Sequence, residues 1–336
     1  MASGTSGINN KMFCSTIIPT VGRPTLSRAV ESVLNQECAA DDFEVIVVND
    51  SGRPLAQADW QRSGRVEILD TNRHNRSVAR NAGAAIAEGR YLHFLDDDDW
   101  MLPGAFEDLW GLARTSHAAW LYGAFRLVDN RGNTIAEVFP EETGNSFLQL
   151  VAWEWLPLQA SIIESRAFFA VGGFAPLSSL LGGFEDVDLS RQIARHYDVD
   201  RTSVIVACIR RGTEGSTTNY VDMFRQNRQS RENALNTPGS FSRMVGSARM
   251  SPRRSSYWFG RIIYYYLASM RWNIQRGRLF TAVSRGAYAM AAFGVATRHI
   301  LSADFWRGLS RPHLSRTGIA YSEAGVDLYS RTRSGR

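Results

Sequence analysis

The order of apolar and polar positions up to residue 95 predicts strands that alternate with helices. Mostly apolar runs, which are typical of strands buried on both faces, occur at 13–18, 43–48, 66–69 and 91–95. Apolar side chains at helical spacing fill the intervening stretches 25–36 and 77–88. Strands and helices in this order form parallel βαβ units, so the pattern predicts an α/β fold.

The pattern is less regular after Trp100 and predicts a sheet of mixed direction. Further helices are predicted at 103–115, 166–171 and 185–196, and further strands at 119–125, 158–163 and 199–209. The polar turn 129–133 contains a glycine and indicates a β-hairpin, which adds antiparallel pairing. The predicted fold is therefore a mixed, mainly parallel central sheet flanked by helices.

Two more helical patterns, 257–275 and 279–297, follow a stretch rich in Pro, Gly, Ser and Arg. The uncharged part of the second, 286–297, is too short for a hydrocarbon core of roughly 30 Å. The pair is predicted either to pack on the body or to lie in a membrane interface. In the second case, five aromatic residues would face lipid: Trp258, Tyr264, Tyr265, Tyr266 and Trp272.

These patterns divide the chain into five predicted segments. They are a disordered N-terminus (1–11), an α/β domain (12–235), a linker (236–255), a basic helical hairpin (256–312) and a disordered tail (313–336). Residues 1–240 carry a net charge of −8 and residues 241–336 carry +13, which together give the overall +5. The basic part predicts an anionic partner such as a membrane surface.

Composition narrows the classes of protein and of partner that remain possible. A chain of 336 residues with 44% hydrophobic and 21% charged residues is typical of a globular protein. No helix-turn-helix, zinc-finger or aromatic RNA-binding signature accompanies the arginines, so no nucleic-acid partner is expected. The three cysteines match no metal-ligand spacing, and the polar N-terminus does not resemble a signal peptide. A cytoplasmic location is expected, with peripheral contact at the inner face of the membrane through the basic helices.

Four consecutive carboxylates, Asp96 to Asp99, directly follow the predicted strand 91–95. Two like charges about 4 Å apart repel by about 4 kcal/mol at an effective dielectric of about 20, so the cluster favours a bound cation. Oxygen ligands suit Mg²⁺ or Mn²⁺. Alternatively, the run is a solvated acidic turn.

Polar residues also end two other predicted strands. Pro19-Thr20 follows the first strand and Asp50 follows the second, and ligands of open α/β sheets bind beyond the carboxyl ends of the strands. Because the glycine-rich phosphate motifs are absent, a metal ion is expected to neutralise a bound diphosphate.

The combination of motifs resembles the family 2 glycosyltransferases of GT-A fold, over about residues 12–235. It consists of Ile17-Ile18-Pro19-Thr20, Val47-Val48-Asn49-Asp50-Ser51-Gly52, Ala79-Arg80-Asn81-Ala82-Gly83, Phe94-Leu95-Asp96-Asp97-Asp98-Asp99-Trp100, Gly172-Gly173-Phe174 and Glu185-Asp186-Val187-Asp188-Leu189. The resemblance implies transfer of a sugar from a nucleoside diphosphate donor to an acceptor hydroxyl, with inversion at the anomeric carbon.

The resemblance also implies roles for individual residues. In the family's DxD motif, Asp98 would ligate the metal and Asp96 would lie near the metal or the ribose. Asp97 lies between them, and Asp99 either belongs to the site or caps the following helix. The residues expected along the nucleotide sugar are Pro19, Thr20, Arg23, Asp50, Arg80, Asp96, Asp97, Glu185 and Arg211. For Arg23, a solvated turn is the alternative.

A base must remove the proton of the acceptor hydroxyl. The resemblance assigns this role to Asp186, which opens the helix predicted at 185–196. The alternative is that Glu185, Asp186 and Asp188 only stabilise the N-terminus of this helix through its dipole.

Two other functions compete with this prediction. A sugar nucleotidyltransferase also binds Mg²⁺ between acidic residues, but residues 19–24 offer one Gly and one Arg where a glycine-rich basic loop is expected. A non-catalytic protein that binds a membrane surface through the basic helices is the other alternative. The sequence specifies neither donor sugar, nor acceptor, nor oligomeric state.

Overall fold

A computed structural model of the chain describes residues 12–38, 43–152, 156–175, 184–210, 220–251 and 254–310. For 220–224 it describes the backbone alone. The segments predicted to be disordered, 1–11 and 313–336, lie outside the described residues.

The strands of the described residues form a single mixed sheet. Their bounds are β1 (Cys14–Thr20), β2 (Phe43–Asn49), β3 (Val66–Asp70), β4 (Tyr91–Phe94), β5 (Trp100–Met101), β6 (Trp120–Val128), β7 (Thr134–Val138), β8 (Ser161–Glu164) and β9 (Val199–Arg210). The spatial order is β3-β2-β1-β4-β8-β6-β9-β5, and β7 pairs with β6. The first four strands in this order are parallel to one another, whereas β8, β5 and β7 are antiparallel to their neighbours. The predicted mixed α/β sheet is thereby confirmed.

Helices cover both faces of this sheet. Their bounds are α1 (Leu26–Leu34), α2 (Arg76–Ile86), α3 (Ala105–Thr115), α4 (Phe147–Ala152), α5 (Ser165–Ala170), α6 (Glu185–Ala194), α7 (Tyr220–Asn236), α8 (Ser240–Met250), α9 (Ser255–Ile274), α10 (Leu279–Val295) and α11 (Ala303–Ser310). The predicted helices all occur within a few residues of these bounds, whereas α4, α7, α8 and α11 were not predicted. The predicted strand 158–163 begins with a 3₁₀ turn and is extended only from Ser161.

The alternation of side chains along β2 explains why the sequence is apolar at every position from Val45 to Val48. Val45 and Val47 pack in a core with α1 and α3, whereas Ile46 and Val48 pack in a second core with α2 and the later helices. Successive side chains of a strand point to opposite faces of the sheet, so a strand covered on both faces needs apolar residues at every position.

The strand register brings three polar turns to one edge of the sheet. β1 lies between β2 and β4, with Thr20 opposite Asn49 and Ile17 opposite Phe94. Asp50 and the carboxylate run after Phe94 therefore follow the carboxyl ends of neighbouring parallel strands, on the two sides of Thr20.

The stretch predicted as a linker, 236–255, contains helix α8 and is part of the fold. Met244 and Ala248, four residues apart on one helix face, are completely buried in the core that α9 shares. The prediction of a linker is wrong here because it used local composition, whereas burial against neighbouring helices stabilises α8. The domain boundary at residue 235 stays a prediction.

The two helices predicted after residue 256 form α9 and α10 and are confirmed. Trp258, Tyr265, Tyr266 and Trp272 of α9 are buried. These aromatic side chains pack in the core, so the interpretation in which they face lipid is wrong. None of the helices in the described residues is both long enough and apolar enough to cross a bilayer.

Helices α9 and α11 approach each other so closely that only glycine fits at two positions. A Cβ atom on Gly260 would collide with the carbonyl oxygen of Phe305, and one on Gly308 would collide with the carbonyl oxygen of Tyr257. We expect Gly260→Ala or Gly308→Ala to lower the free energy of unfolding by about 1–3 kcal/mol, because the helices must separate. Urea denaturation measures this change.

The matched control is Gly294→Ala on α10, where a Cβ atom meets nothing within 4 Å. We expect this change to stabilise the protein by up to about 1 kcal/mol through helix propensity alone. Equal effects of all three substitutions would contradict the close approach of α9 and α11.

Candidate functional site

A pocket of about 430 Å³ lies at the carboxyl ends of β1, β2 and β4. Its walls come from the turns after these strands, the start of α2 and the end of β9. The predicted residues among those lining it are Pro19, Thr20, Arg23, Asp50, Asp96, Asp97 and Asp98. Seven positions that are up to 79 residues apart in sequence thus share one pocket.

The carboxylates after β4 divide into two sets. Asp96, Asp98 and Asp99 each offer an oxygen atom, and these atoms lie within 4.8 Å of one another. Asp97 instead accepts hydrogen bonds from Thr20 Oγ1 (2.6 Å) and Arg23 Nη1 (2.8 Å). Asp97 therefore fixes the turn against the end of β1, while the other three carboxylates converge.

Asp99 belongs to the converging set and does not cap a helix. Its Oδ1 accepts a hydrogen bond from the backbone N–H of Arg210 (2.6 Å), at the end of β9. Helix α3 begins after Gly104, with no side-chain hydrogen bond at its N-cap. Strand β9 therefore orients Asp99 toward the pocket.

Burial makes this cluster a suitable place for a cation. Burial and the charges of Asp96 and Asp98 raise the pKa of Asp99 well above its usual value, and burial also raises the pKa of Asp97. For Asp96, burial opposes ionisation, but the guanidinium groups of Arg80 and Arg76 outweigh it and lower the pKa. Burial thus makes it costly for these converging carboxyl groups to ionise. They fit Mg²⁺ or Mn²⁺, because a divalent cation stabilises their charged forms.

Asp50 organises the loop that forms another wall of the pocket. Its carboxylate accepts hydrogen bonds from Thr71 Oγ1 (2.8 Å), the Arg73 N–H (2.6 Å) and the Asn75 N–H (2.6 Å). His74, between the last two donors, has a φ of +48°, in the left-handed region that non-glycine residues seldom adopt. Asp50, which was expected along the nucleotide sugar, thus holds the loop in its strained shape.

Arg80 and Glu185 form a buried bridge behind the pocket. Arg80 is 2% exposed and donates to Asp96 Oδ1 (2.6 Å) and to Glu185 Oε1 (3.0 Å). Arg76 Nε lies 3.4 Å from the same oxygen of Glu185. The buried guanidinium group of Arg80 does not line the pocket, and its expected position along the nucleotide sugar stays a prediction. Glu185 likewise pairs with arginines of this chain.

Asp186 is the second residue of α6, directly after this bridge. Its Oδ1 accepts a hydrogen bond from the Val187 N–H (2.8 Å). Burial and the negative charge of Glu185 raise the pKa of Asp186 to about 6, although Arg80 opposes the shift. Such a pKa suits a group that gains and loses a proton near neutral pH. The preceding segment 176–183 lies outside the described residues.

Gln159 and Arg76 line the pocket, although the sequence assigned a role to neither of them. Gln159 Nε2 donates to Asp96 Oδ2 (2.9 Å), and its backbone oxygen contacts the ring of the buried His93 (3.0 Å). Arg210 also lines the pocket. Gln159 carries no local sequence signal, because only the antiparallel pairing of β8 with β4 brings it to Asp96. Arg211, which was also expected along the nucleotide sugar, lies outside the described residues.

The fold is also found in solved structures. Two structures of TarS from S. aureus are similar to the chain. TarS residues 1–349 align with a TM-score of 0.55 and 16% identity, covering 93% of this chain and 92% of that one. The same fragment in complex with UDP-GlcNAc aligns with a TM-score of 0.53 and 13% identity, covering 87% and 93%. The chain therefore has the GT-A fold.

Sequence comparison finds a family and two curated relatives that match part of the chain. The model of glycosyl transferase family 2 matches residues 15–160. The chain is 31% identical over 163 residues to poly(ribitol-phosphate) beta-N-acetylglucosaminyltransferase TarP of Staphylococcus aureus, covering 47% of this chain and 46% of TarP. It is 34% identical over 89 residues to the minor teichoic acid biosynthesis protein GgaB of Bacillus subtilis, covering 25% of this chain and 10% of GgaB. Residues 15–160 therefore resemble the family 2 glycosyltransferases, and the chain spans less than half the length of either relative.

Proposed function

We propose that the protein is an inverting glycosyltransferase that moves a sugar from a nucleoside diphosphate donor to an acceptor hydroxyl. The observation that carries this proposal is the convergence of Asp96, Asp98 and Asp99 at the carboxyl ends of β1, β2 and β4. A pocket with this position and charge suits a nucleotide whose diphosphate is neutralised by a cation.

The donor would lie along the pocket with its nucleoside against β1 and β2. Pro19, Thr20 and Asp50 line that part, while the guanidinium groups of Arg23 and Arg210 line the part near the carboxylates. The similarity to TarS, which was crystallised with UDP-GlcNAc, makes a UDP-linked amino sugar the first donor to test.

Mg²⁺ or Mn²⁺ would be held by Asp96, Asp98 and Asp99. The bound ion would supply positive charge that stabilises the departing diphosphate. Gln159 would orient Asp96 for this role through its hydrogen bond.

Asp186 would act as the general base. The acceptor oxygen bonds to the anomeric carbon as the bond from that carbon to the diphosphate oxygen breaks. The hydroxyl proton passes to the carboxylate of Asp186, and the electron pair leaves with the diphosphate. Attack from the face opposite the leaving group inverts the anomeric centre.

The acceptor would be a hydroxyl group of a glycan, a lipid-linked sugar or a small molecule. The name of TarP adds a poly(ribitol-phosphate) chain as a specific candidate. A sugar nucleotidyltransferase has less support, because the family model that matches is that of the glycosyltransferases.

A thermal-shift panel tests the donor and the metal together. We expect one nucleoside diphosphate among UDP, GDP, CDP and TDP to raise the Tm in the presence of Mn²⁺, since a ligand at a hundred times its Kd adds about 2.7 kcal/mol. Asp98→Asn should remove the part of the shift that depends on Mn²⁺. Asp59→Asn, at a fully exposed carboxylate, should leave the shift unchanged.

The panel should be followed by turnover of the matching sugar donor with the acceptors named above. The proposal fails if no diphosphate shifts the Tm with either metal and no donor is consumed. Release of pyrophosphate from a nucleoside triphosphate and a sugar phosphate would instead support the nucleotidyltransferase.

A further inference from the structure

The outward side of α10 is an uncharged apolar surface. The one charged residue of this helix, Arg285, is 3% exposed and donates to Asn236 on the inner side. The exposed residues of the helix form what we call the outer face of α10: Leu279, Phe280, Val283, Ala287, Tyr288, Met290, Ala291, Gly294 and Val295.

The most exposed of these side chains lie along one line. Phe280 is 90% exposed, Val283 is 73% exposed and Met290 is 70% exposed. Positions 280, 283, 287, 290 and 294 follow helical spacing of three and four, so they form one continuous stripe. A continuous apolar stripe on a surface marks an interaction site more often than scattered apolar residues do.

The inner side of α10 shows that this orientation is fixed. Ala282, Ala289 and Ala292 are buried, and the last two pack in the same core as the α9 aromatic residues. The ring of Tyr288 stacks on that of Tyr266 from α9, at a centroid distance of 5.2 Å. These contacts hold the outer face away from the body of the protein.

Arginines border the outer face at both ends. Arg276 and Arg278 are exposed just before α10, and Arg298 and Arg307 are exposed just after it. Residues 254–310 contain eight arginines, and their one acid is Asp304, which pairs with Arg307. Leu301 and Trp306, which follow α10 in the sequence, are 96% and 51% exposed.

An apolar stripe between clusters of arginine matches a helix that lies in the plane of a membrane. The apolar side chains enter the boundary between headgroups and acyl chains, while the arginines contact headgroup phosphates. The charge favours an anionic lipid surface, because the flanking residues are almost all positive.

We propose that the outer face of α10 docks on an anionic lipid bilayer, with Phe280, Val283 and Met290 in the acyl boundary. The flanking arginines bind lipid phosphates. The contact involves no residue of the carboxylate pocket, so it goes beyond the proposed function and does not depend on it.

Cosedimentation of the full chain with lipid vesicles tests this docking. We expect binding to vesicles of phosphatidylcholine mixed with phosphatidylglycerol, weaker binding to phosphatidylcholine alone, and a loss of binding as the salt concentration rises. The triple variant Phe280→Ser, Val283→Ser, Met290→Ser should weaken binding at least about tenfold. Arg276→Gln and Arg278→Gln should each weaken it about fivefold.

The matched control is Phe169→Ser on α5, which removes a side chain that is 51% exposed and far from α10 in sequence. It should leave vesicle binding unchanged. Circular dichroism and the Tm with nucleoside diphosphate would verify that each variant is folded, and would separate failure of docking from failure of the proposed function.

Two results would overturn the proposal. One is that the full chain does not bind the anionic vesicles. The other is that light scattering shows an oligomer which the triple variant converts to a monomer, with no vesicle binding by the unmodified chain. The outer face of α10 would then be an interface between copies of this protein.

Discussion

Replacement of Asp186 by Asn is expected to lower sugar transfer by a factor of about 10²–10⁴, because the acceptor hydroxyl loses its base. Donor binding should stay unchanged, since Asp186 does not line the carboxylate pocket. The rate of donor consumption and the Tm shift with nucleoside diphosphate measure the two properties separately. A variant that binds donor normally and turns it over at the original rate would exclude Asp186 as the base.

The pH dependence of turnover gives a second test of Asp186. The pKa of Asp186 is raised to about 6, so its basic form is lost as the pH falls below that value. We expect kcat/KM to fall about tenfold for each pH unit below about 6 in the unmodified protein. This limb of the profile should disappear in Asp186→Asn.

Asp188→Asn is the matched control, two residues further along the first turn of α6. Residues at this spacing on a helix point in different directions, so Asp188 does not reach the same atom as Asp186. We expect its turnover to stay within a few-fold of the original. An equal loss in both variants would indicate that these acids act only through the helix dipole.

Replacement of Arg80 by Met is expected to lower the free energy of unfolding by about 3–5 kcal/mol. The change removes the hydrogen-bonded partner of Glu185, which is 3% exposed, and of Asp96. A buried carboxylate that has lost its guanidinium partner destabilises the fold by more free energy than the ion pair contributed, since the desolvation of the carboxylate is no longer offset. Urea denaturation at several pH values measures the effect.

The loss of stability in Arg80→Met is expected to depend on pH in one direction. Arg80 helps to hold the pKa of Asp96 below its usual value of 3.8, so the stabilisation is present above that value and is lost as the pH falls through the lowered pKa. The difference between the unmodified protein and Arg80→Met should therefore be largest near neutral pH and shrink in acid. A difference that grows in acid would contradict the bridge.

Two further variants make the test specific. The double variant Arg80→Met, Glu185→Gln should recover part of the lost stability, because it also removes the buried negative charge of Glu185, which in Arg80→Met keeps only the longer contact with Arg76. Arg62→Met, which breaks an exposed pair with Asp59, should have a much smaller effect. If Arg62→Met destabilised the protein as much as Arg80→Met, burial of the bridge would not be the cause.

The bridge connects two parts of the proposed reaction. Arg80 contacts Asp96 in the carboxylate cluster and Glu185, the residue before Asp186. A single guanidinium group therefore positions the turn after β4 relative to the start of α6. Because Asp186 and the cluster lie about ninety residues apart in sequence, this contact fixes a geometry that no local interaction could supply.

The sequence determined most of the α/β body, because its strands and helices have strong local periodicity. Mostly apolar runs identified β1, β2 and β4, and the polar residues directly after them identified one edge of the sheet. Helix α8 was missed because its Gly, Ser and Arg content resembles a linker. Burial of Met244 and Ala248 against other helices, which is absent from the local pattern, decides its structure.

For the candidate site, too, the sequence established one part and the tertiary structure the other. The sequence by itself identified Asp96 to Asp99 as candidate ligands, since four consecutive acids after a buried strand favour a bound cation. Only the tertiary structure decided that Asp97 turns toward Thr20 and Arg23, that Asp99 joins Asp96 and Asp98, and that Arg80 is buried. Side-chain direction depends on partners far apart in the chain, whereas periodicity reports only which face of its own element a residue occupies.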